Sequence, residues 1–112
     1  METMDYHNYK SCIDACVRCA TICNHCAASC LKEENINMNR CIQLDMECAA
    51  LCYAAAQLMS LGSDKAKEIC RLCADLCRQC SEECVKHTAM KHCEECAEAC
   101  RVCADECLKM AS

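Results

Sequence analysis

Cysteines recur in this chain at a spacing that would place their thiols along one side of an α-helix. Segments 16–30, 70–84 and 93–107 each follow the pattern C-x2-C-x3-C-x2-C-x3-C. Steps that alternate between three and four residues keep side chains on one stripe of a helix. That stripe normally carries Leu or Ile and faces the core. Since thiols occupy it here, the pattern predicts a core that binds soft metal ions.

The composition favours long helices whose core consists largely of cysteine. The 112 residues include 19 Cys and 16 Ala, but only 16 Leu, Ile and Val in total, with no Phe or Trp. Buried Cys behaves as a small hydrophobic residue, so the cysteine stripes can supply the core. The chain has no Pro and a single Gly to interrupt helices. We therefore expect one all-α domain over residues 1–112.

Four helices joined by short connections are expected. Their approximate ranges are 4–31, 37–61, 64–86 and 90–110. Asn35 and Asn37 suit a turn and a helix cap between the first two helices. Gly62 suits a helix stop, and Ser63 the N-cap that follows it. Because short connections make sequential helices antiparallel, the sequence predicts an up-down four-helix bundle with a cysteine-lined core.

The second helix carries an incomplete copy of the stripe. In the same register stand Met38, Cys41, Asp45, Cys48, Cys52, Ala55 and Met59. Asp45 places a carboxylate on the inner stripe. It could be an oxygen ligand, a hydrogen-bonding partner for Tyr53 or Tyr9, or a side chain that leans to the surface. We favour hydrogen bonding or exposure over ligation.

Other uses of many cysteines fit the sequence less well. Disulfides need Cα atoms about 4.4–6.8 Å apart, whereas helix axes in a bundle lie about 8–10 Å apart. An odd number of cysteines also cannot all pair within one chain. The run at 70, 73, 77 and 80 departs from the ferredoxin pattern, and the C-x2-C pairs lack the βαβ context of thioredoxin-type sites. No catalytic constellation is evident, so we expect no enzymatic activity.

Charge favours Cu(I) among the soft metal ions. Zinc with four thiolates carries a net charge of −2, which is costly to bury repeatedly. One thiolate for each Cu(I) keeps the core near neutrality, and thiolates and thioethers select this ion. We expect roughly one Cu(I) per cysteine, which indicates storage rather than trafficking. The predicted ligands are Cys12, Cys16, Cys19, Cys23, Cys26, Cys30, Cys41, Cys48, Cys52, Cys70, Cys73, Cys77, Cys80, Cys84, Cys93, Cys96, Cys100, Cys103 and Cys107.

Methionines and histidines fall near the ends of the predicted bundle. One end would gather Met38, His87, Met90 and His92, and the other Met4, His7, Met59 and Met110. Thioethers and imidazoles bind Cu(I) without a thiol, so the first group are candidate entrance ligands, with His87 the leading one. Met also fills gaps in bundles, so packing explains Met59 and Met110 as well as ligation does. His25 is expected to face outward.

The charge and the N-terminal residues limit the class of partner. A net charge of −5 with interspersed signs offers no basic stripe for nucleic acid. Residues 1–10 show no secretory signal, and no segment is long and apolar enough for a membrane span. We therefore expect a cytoplasmic protein with neither a nucleic-acid nor a membrane partner.

These motifs resemble those of the bacterial copper storage proteins, specifically their cytosolic branch. The resembling segments are C-x3-C-x2-C-x3-C-x2-C-x3-C at 12–30, CIQLDMECAALC at 41–52, EICRLCADLCRQCSEEC at 68–84 and the histidine-containing link before Cys93. The resemblance implies a homotetramer of four-helix bundles that load Cu(I) along a cysteine-lined bore, with the nineteen cysteines as ligands. It also implies an entrance near His87 and His92. A copper chaperone or a low-molecular-weight thiol is a candidate copper donor.

A function of another class stays open at this point. A metallothionein-like protein would hold Zn or Cd, or buffer thiols against oxidants, with a similar cysteine content. Such a protein is unstructured without metal, whereas this chain has a helical pattern that does not depend on metal. A strongly helical metal-free protein would therefore favour the copper store.

Overall fold

The computed structural model describes residues 6–111, which form four α-helices. These are α1 (Tyr6–Cys30), α2 (Asn39–Ser60), α3 (Ala66–Val85) and α4 (Lys91–Ala111). Helix boundaries in this part of the chain lie within two residues of the predicted ones. The expected helix start at Met4 lies outside the described residues. No helix within 6–111 combines the length and apolarity that a membrane span requires.

The four helices pack as an antiparallel ring. α1 contacts α2 and α4, and α3 contacts the same two helices. Cys12 near the start of α1 lies beside Cys107 near the end of α4, with 3.6 Å between their sulfurs. Cys30 at the end of α1 lies 3.8 Å from Cys41 near the start of α2, again between sulfurs. The structure therefore confirms an all-α, up-down four-helix bundle.

Gly62 ends α2 through its backbone conformation. Its φ of 67° lies in the left-handed region, which glycine adopts without a steric penalty. The N–H of Gly62 donates to the carbonyl of Met59, and that of Ser63 to the carbonyl of Leu58, as in a Schellman motif. The Ser63 hydroxyl accepts a hydrogen bond from the backbone N–H of Lys65. Ser63 therefore caps the turn that precedes α3 rather than α3 itself.

A side chain also fixes the link between α1 and α2. Asn37 Oδ1 accepts a hydrogen bond from the backbone N–H of Asn39, the first residue of α2. This bond satisfies one of the N–H groups that a helix start leaves without an intrahelical partner. Asn35 lies exposed in the same link. Of the two predicted asparagines, Asn37 makes this contact from the residue before the N-cap position, Met38.

Thiols and alanines form the core of the bundle. All nineteen cysteines are at most 2% exposed, and all are free thiols. Buried alanines flank them on every helix, among them Ala20, Ala49, Ala74, Ala97 and Ala104. Such small residues let neighbouring helices approach closely. The sulfurs of different helices are therefore brought within contact distance of one another.

Candidate metal-binding core

Each helix turns its cysteines toward the axis of the bundle. α1 contributes six of them, α2 three, and α3 and α4 five each. We call this set of nineteen side chains the thiol column. Because the stripe climbs each helix in steps of three and four residues, the column runs along most of the bundle's length.

The sulfurs of the thiol column are spaced as shared metal ligands would be. Within one helix, Cys26 and Cys30 lie 3.8 Å apart. Between helices, Cys48 and Cys77 lie 3.3 Å apart. Two sulfurs that share an ion at bonds of about 2.3 Å are about 3.8–4.0 Å apart in tetrahedral or trigonal geometry. Both kinds of pair therefore need only small side-chain adjustments to hold one ion.

Groups of four sulfurs overlap along the thiol column. Examples are Cys16 with Cys73, Cys103 and Cys107; Cys19 with Cys52, Cys77 and Cys103; Cys19 with Cys23, Cys48 and Cys100; and Cys23 with Cys80, Cys96 and Cys100. Cys19, Cys23, Cys100 and Cys103 each belong to two of these groups. A thiolate that belongs to two groups can bridge two ions. Separate four-thiolate sites would each need four sulfurs of their own, and these groups have sulfurs in common. The geometry suits bridged monovalent ions better than isolated zinc sites.

Burial favours the protonated form of two thiols, those of Cys30 and Cys93, in the metal-free protein. Loss of solvation raises the pKa of Cys93 to about 11, and it also raises the pKa of Cys30. These two thiols are therefore neutral near pH 7 in the metal-free protein. An ion that binds the thiolate form must displace the proton, so loading releases acid.

Asp45 lies inside the thiol column rather than at the surface. It is fully buried, and its Oδ1 accepts hydrogen bonds from Cys80 at 3.1 Å and Cys96 at 3.3 Å. Burial, followed by the proximity of Cys96, raises the pKa of Asp45 to about 9. Of the alternatives left open for Asp45, exposure at the surface is therefore wrong, because thiols of other helices surround it. The hydrogen-bonding alternative holds with thiols as partners, while the exposed Tyr53 hydroxyl accepts from Asn24.

One end of the thiol column, which we call the histidine end, consists of Cys26, Cys30, Cys93 and His92. The imidazole Nδ1 lies 3.5 Å from Sγ of Cys93, 3.6 Å from that of Cys26 and 3.9 Å from that of Cys30. Its Nε2 lies 3.5 Å from Oε2 of Glu33. A histidine that binds a metal commonly directs its second nitrogen to a carboxylate. His92 is thus oriented as a metal ligand would be.

The other candidate entrance residues have different surroundings. His87 Nε2 lies 3.1 Å from Oε2 of Glu83, so this nitrogen faces a carboxylate. Met38 is buried in the core, and Met90 is partly buried and packs against the core cluster. His25 is exposed, as expected. Ligand roles for Met38, His87 and Met90 stay predictions.

The opposite end of the thiol column, which we call the methionine end, consists of Cys12, Cys70, Cys107 and Met59. Met59 is fully buried, and the Cys70 thiol donates to its Sδ across 3.6 Å. Tyr9, one turn before Cys12 on α1, is also buried. The predicted ligand set omits Met59, although the register of the stripe on α2 reaches it.

Known proteins are similar to this chain in sequence and in fold. Residues 5–112 match the family Csp, copper storage protein. The uncharacterized cysteine-rich protein YhjQ of Bacillus subtilis is 47% identical over 79 residues, which are 70% of this chain and 73% of YhjQ. The apo form of copper storage protein 3 from Bacillus subtilis superposes with a TM-score of 0.88 at 46% identity, covering 93% of this chain and 99% of its own.

Structures with bound copper are similar as well. The Cu(I)-bound copper storage protein BsCsp3 has a TM-score of 0.88 at 45% identity, over 93% of this chain and 98% of its own. A cytosolic copper storage protein from Streptomyces lividans, loaded with five coppers, has a TM-score of 0.84 at 40% identity. That alignment covers 89% of this chain and 88% of the Streptomyces chain.

A four-helix bundle lined with thiols along its axis defines a class of protein that holds many soft metal ions. The family match extends over nearly all of this sequence. The chain therefore belongs to the copper storage protein family.

Proposed function

We propose that this protein stores many Cu(I) ions inside the bundle, at roughly one ion for each of the nineteen cysteines of the thiol column. The observation that carries the proposal is the overlap of the four-sulfur groups, in which Cys19, Cys23, Cys100 and Cys103 each serve two groups. Shared thiolates suit bridged monovalent ions. One thiolate per Cu(I) also leaves the buried core near neutrality.

Cu(I) enters at the histidine end in this proposal. His92 supplies a ligand beside three thiols, and a neutral imidazole can bind Cu(I) without releasing a proton. The ion then passes to the first thiolates as their protons leave. Met38, His87 and Met90 are proposed as further ligands along this path.

The protein is proposed to act in the cytosol as a homotetramer that sequesters copper and can supply it again. The similar Streptomyces lividans protein is described as cytosolic. A copper chaperone or a low-molecular-weight thiol would deliver the ion there. No catalytic role is proposed, and residues 1–112 would act as one domain. Light scattering should give the mass of a tetramer for the reduced protein, and a monomeric mass would contradict the assembly.

An anaerobic titration tests the storage function. Reduced, metal-free protein is titrated with Cu(I) against a strong chelator, with Zn²⁺ present as a competitor. The proposal expects uptake that approaches the number of cysteines and is unaffected by zinc. Saturation at roughly one metal per four cysteines, with zinc retained, would instead identify a metallothionein-like protein for zinc or cadmium.

A further inference from the structure

Met59 occupies a position where the stripe of α2 would carry a further thiol. From Cys52, steps of three and four residues lead through Ala55 to Met59. The Met59 side chain is 0% exposed and lies at the methionine end of the thiol column. It therefore extends the row of sulfur atoms on α2 by one thioether.

The sulfur of Met59 faces a thiol of the neighbouring helix. Sγ of Cys70 on α3 lies 3.6 Å from Sδ of Met59 and donates to it. The same separation joins Cys12 and Cys107 at this end of the column. The distance between the methionine sulfur and the Cys70 sulfur thus equals a distance between two thiol sulfurs of the column. By contrast, Met46 on the same helix is exposed.

We propose that Met59 and Cys70 together bind a Cu(I) ion at the methionine end, so that the store ends in a thioether–thiolate site. The inference rests on the Cu(I) storage proposed above. Thioether sulfur is a soft, neutral donor that suits Cu(I). On binding, copper bonds form to Cys70 Sγ and Met59 Sδ, and the thiol proton of Cys70 leaves to solvent. No electron is transferred, and copper remains Cu(I).

A thioether is the ligand that keeps this last site neutral. Cu(I) with two thiolates carries a net charge of −1, whereas Cu(I) with one thiolate and one thioether carries none. Within the column a second thiolate can be shared with the next ion, but at the end there is no further ion to share it. Burial of an uncompensated charge is costly, and the buried Tyr9 side chain limits access of water here. Met59 completes the coordination without adding charge.

Selenium X-ray absorption on selenomethionine-labelled protein tests the site. Selenium in place of the methionine sulfur reports directly on a bond to copper, and copper per chain is measured on the same loaded sample. A selenium–copper scattering shell is expected in the unmutated protein. It should vanish in Met59→Leu and persist in Met46→Leu, a matched control on α2. It should also persist in the double variant Met38→Leu and Met90→Leu, which lacks the candidate thioethers of the entrance.

The outcomes separate this site from the storage function. Copper uptake without a selenium–copper shell would overturn the site and leave storage intact. A shell that survives Met59→Leu, or one that is lost with Met38 and Met90, would assign the bond to another methionine and overturn the site as well. Failure to take up copper would overturn storage and the site together. If Met59→Leu does not fold, a variant with leucine in place of Met4, Met38, Met90 and Met110 decides the question: a shell that persists there supports the site, and a shell that is lost overturns it.

Discussion

The histidine end and the methionine end finish the same column of thiols with different neutral ligands. At the histidine end, the His92 side chain is 14% exposed, and its Nε2 lies near Glu33 on the link between α1 and α2. At the methionine end, Met59 and Tyr9 are both buried. An imidazole close to solvent can exchange ligands with an incoming copper donor, whereas a buried thioether is shielded from one. The two ends thus differ in access: the imidazole is partly exposed to solvent, and the thioether is not.

The interior of the thiol column is asymmetric as well. Asp45 contacts Cys80 and Cys96, and at 3.8 Å also Cys41 and Cys84. Cys41 belongs to a four-sulfur group with thiols of the histidine end. Among residues 7–111, Asp45 is the one buried charged or polar residue, so the half of the column toward the methionine end has no equivalent of this carboxylate. The two halves should therefore respond differently to pH.

Replacing Asp45 by Asn should have the largest effect, and that effect is on how the free energy of unfolding depends on pH. The folded pKa of about 9 lies above the ordinary value of about 4, so between these values the folded chain binds one more proton than the unfolded chain. The free energy of unfolding of reduced, metal-free protein should then fall by about 1.4 kcal/mol for each pH unit of increase. Denaturant unfolding should show a loss of about 3 kcal/mol from about pH 5 to about pH 7, and Asp45→Asn should show little.

The exposed Asp64, which precedes α3, provides a matched control. Asp64→Asn should keep the slope of the unmutated protein. Parallel profiles for the unmutated protein and Asp45→Asn would contradict a protonated Asp45 in the folded state.

Replacing His92 by Ala should slow copper loading by on the order of tenfold, about 1.4 kcal/mol in the barrier. The ion loses the imidazole at the histidine end, while the thiols that set the final copper content stay in place. Stopped-flow transfer of Cu(I) from a chelator under anaerobic conditions measures the rate. His25→Ala, an exposed histidine on α1, is the control. Equal rates for the two variants would move the entrance away from the histidine end.

Replacing Glu33 by Gln should slow loading by a smaller factor, roughly twofold. The carboxylate lies 3.5 Å from Nε2 of His92 without a hydrogen bond to it and is itself partly exposed, so their interaction is weak. The same transfer experiment measures the effect, with the exposed neighbour Glu34→Gln as the control. A slowing as large as that of His92→Ala would mean that Glu33 acts on the ion itself rather than through His92.

Replacing Met59 by Leu should leave the initial loading rate unchanged and lower the capacity by about one copper per chain. The substitution lies at the methionine end, far from the proposed entrance. It removes one copper ligand and leaves the proposed entrance residues unchanged. Native mass spectrometry of the fully loaded protein counts the ions. A slower first phase of loading in Met59→Leu would show that copper also enters at the methionine end.

The helices and the thiol column could be predicted because both follow from local spacing. Steps that alternate between three and four residues define a helical stripe independently of the neighbouring helices. The positive φ of Gly62, which ends α2, is likewise a local property that glycine accommodates. The burial of Asp45 could not be predicted in this way. It depends on thiol partners from α3 and α4, and the spacing within α2 does not specify these.

The spacing of residues in the sequence also could not show which of His87 and His92 contacts the thiol column. The register that connects Cys84 with His87 requires a continuous helix, but α3 ends at Val85. His87 then faces Glu83, while His92, the second residue of α4, reaches the thiols of α1. The conformation of the turn between α3 and α4 determines which imidazole contacts the thiol column, and the sequence of that turn has no repeat from which its conformation could be predicted.

A crystal structure of the Cu(I)-loaded protein, with anomalous scattering measured at the copper edge, would locate every bound copper ion. Copper ions are expected along the whole thiol column, from His92 at one end to the pair Met59 and Cys70 at the other, with neighbouring ions bridged by shared thiolates. Isolated ions in separate four-cysteine sites, or copper confined to the surface of the bundle, would contradict this expectation.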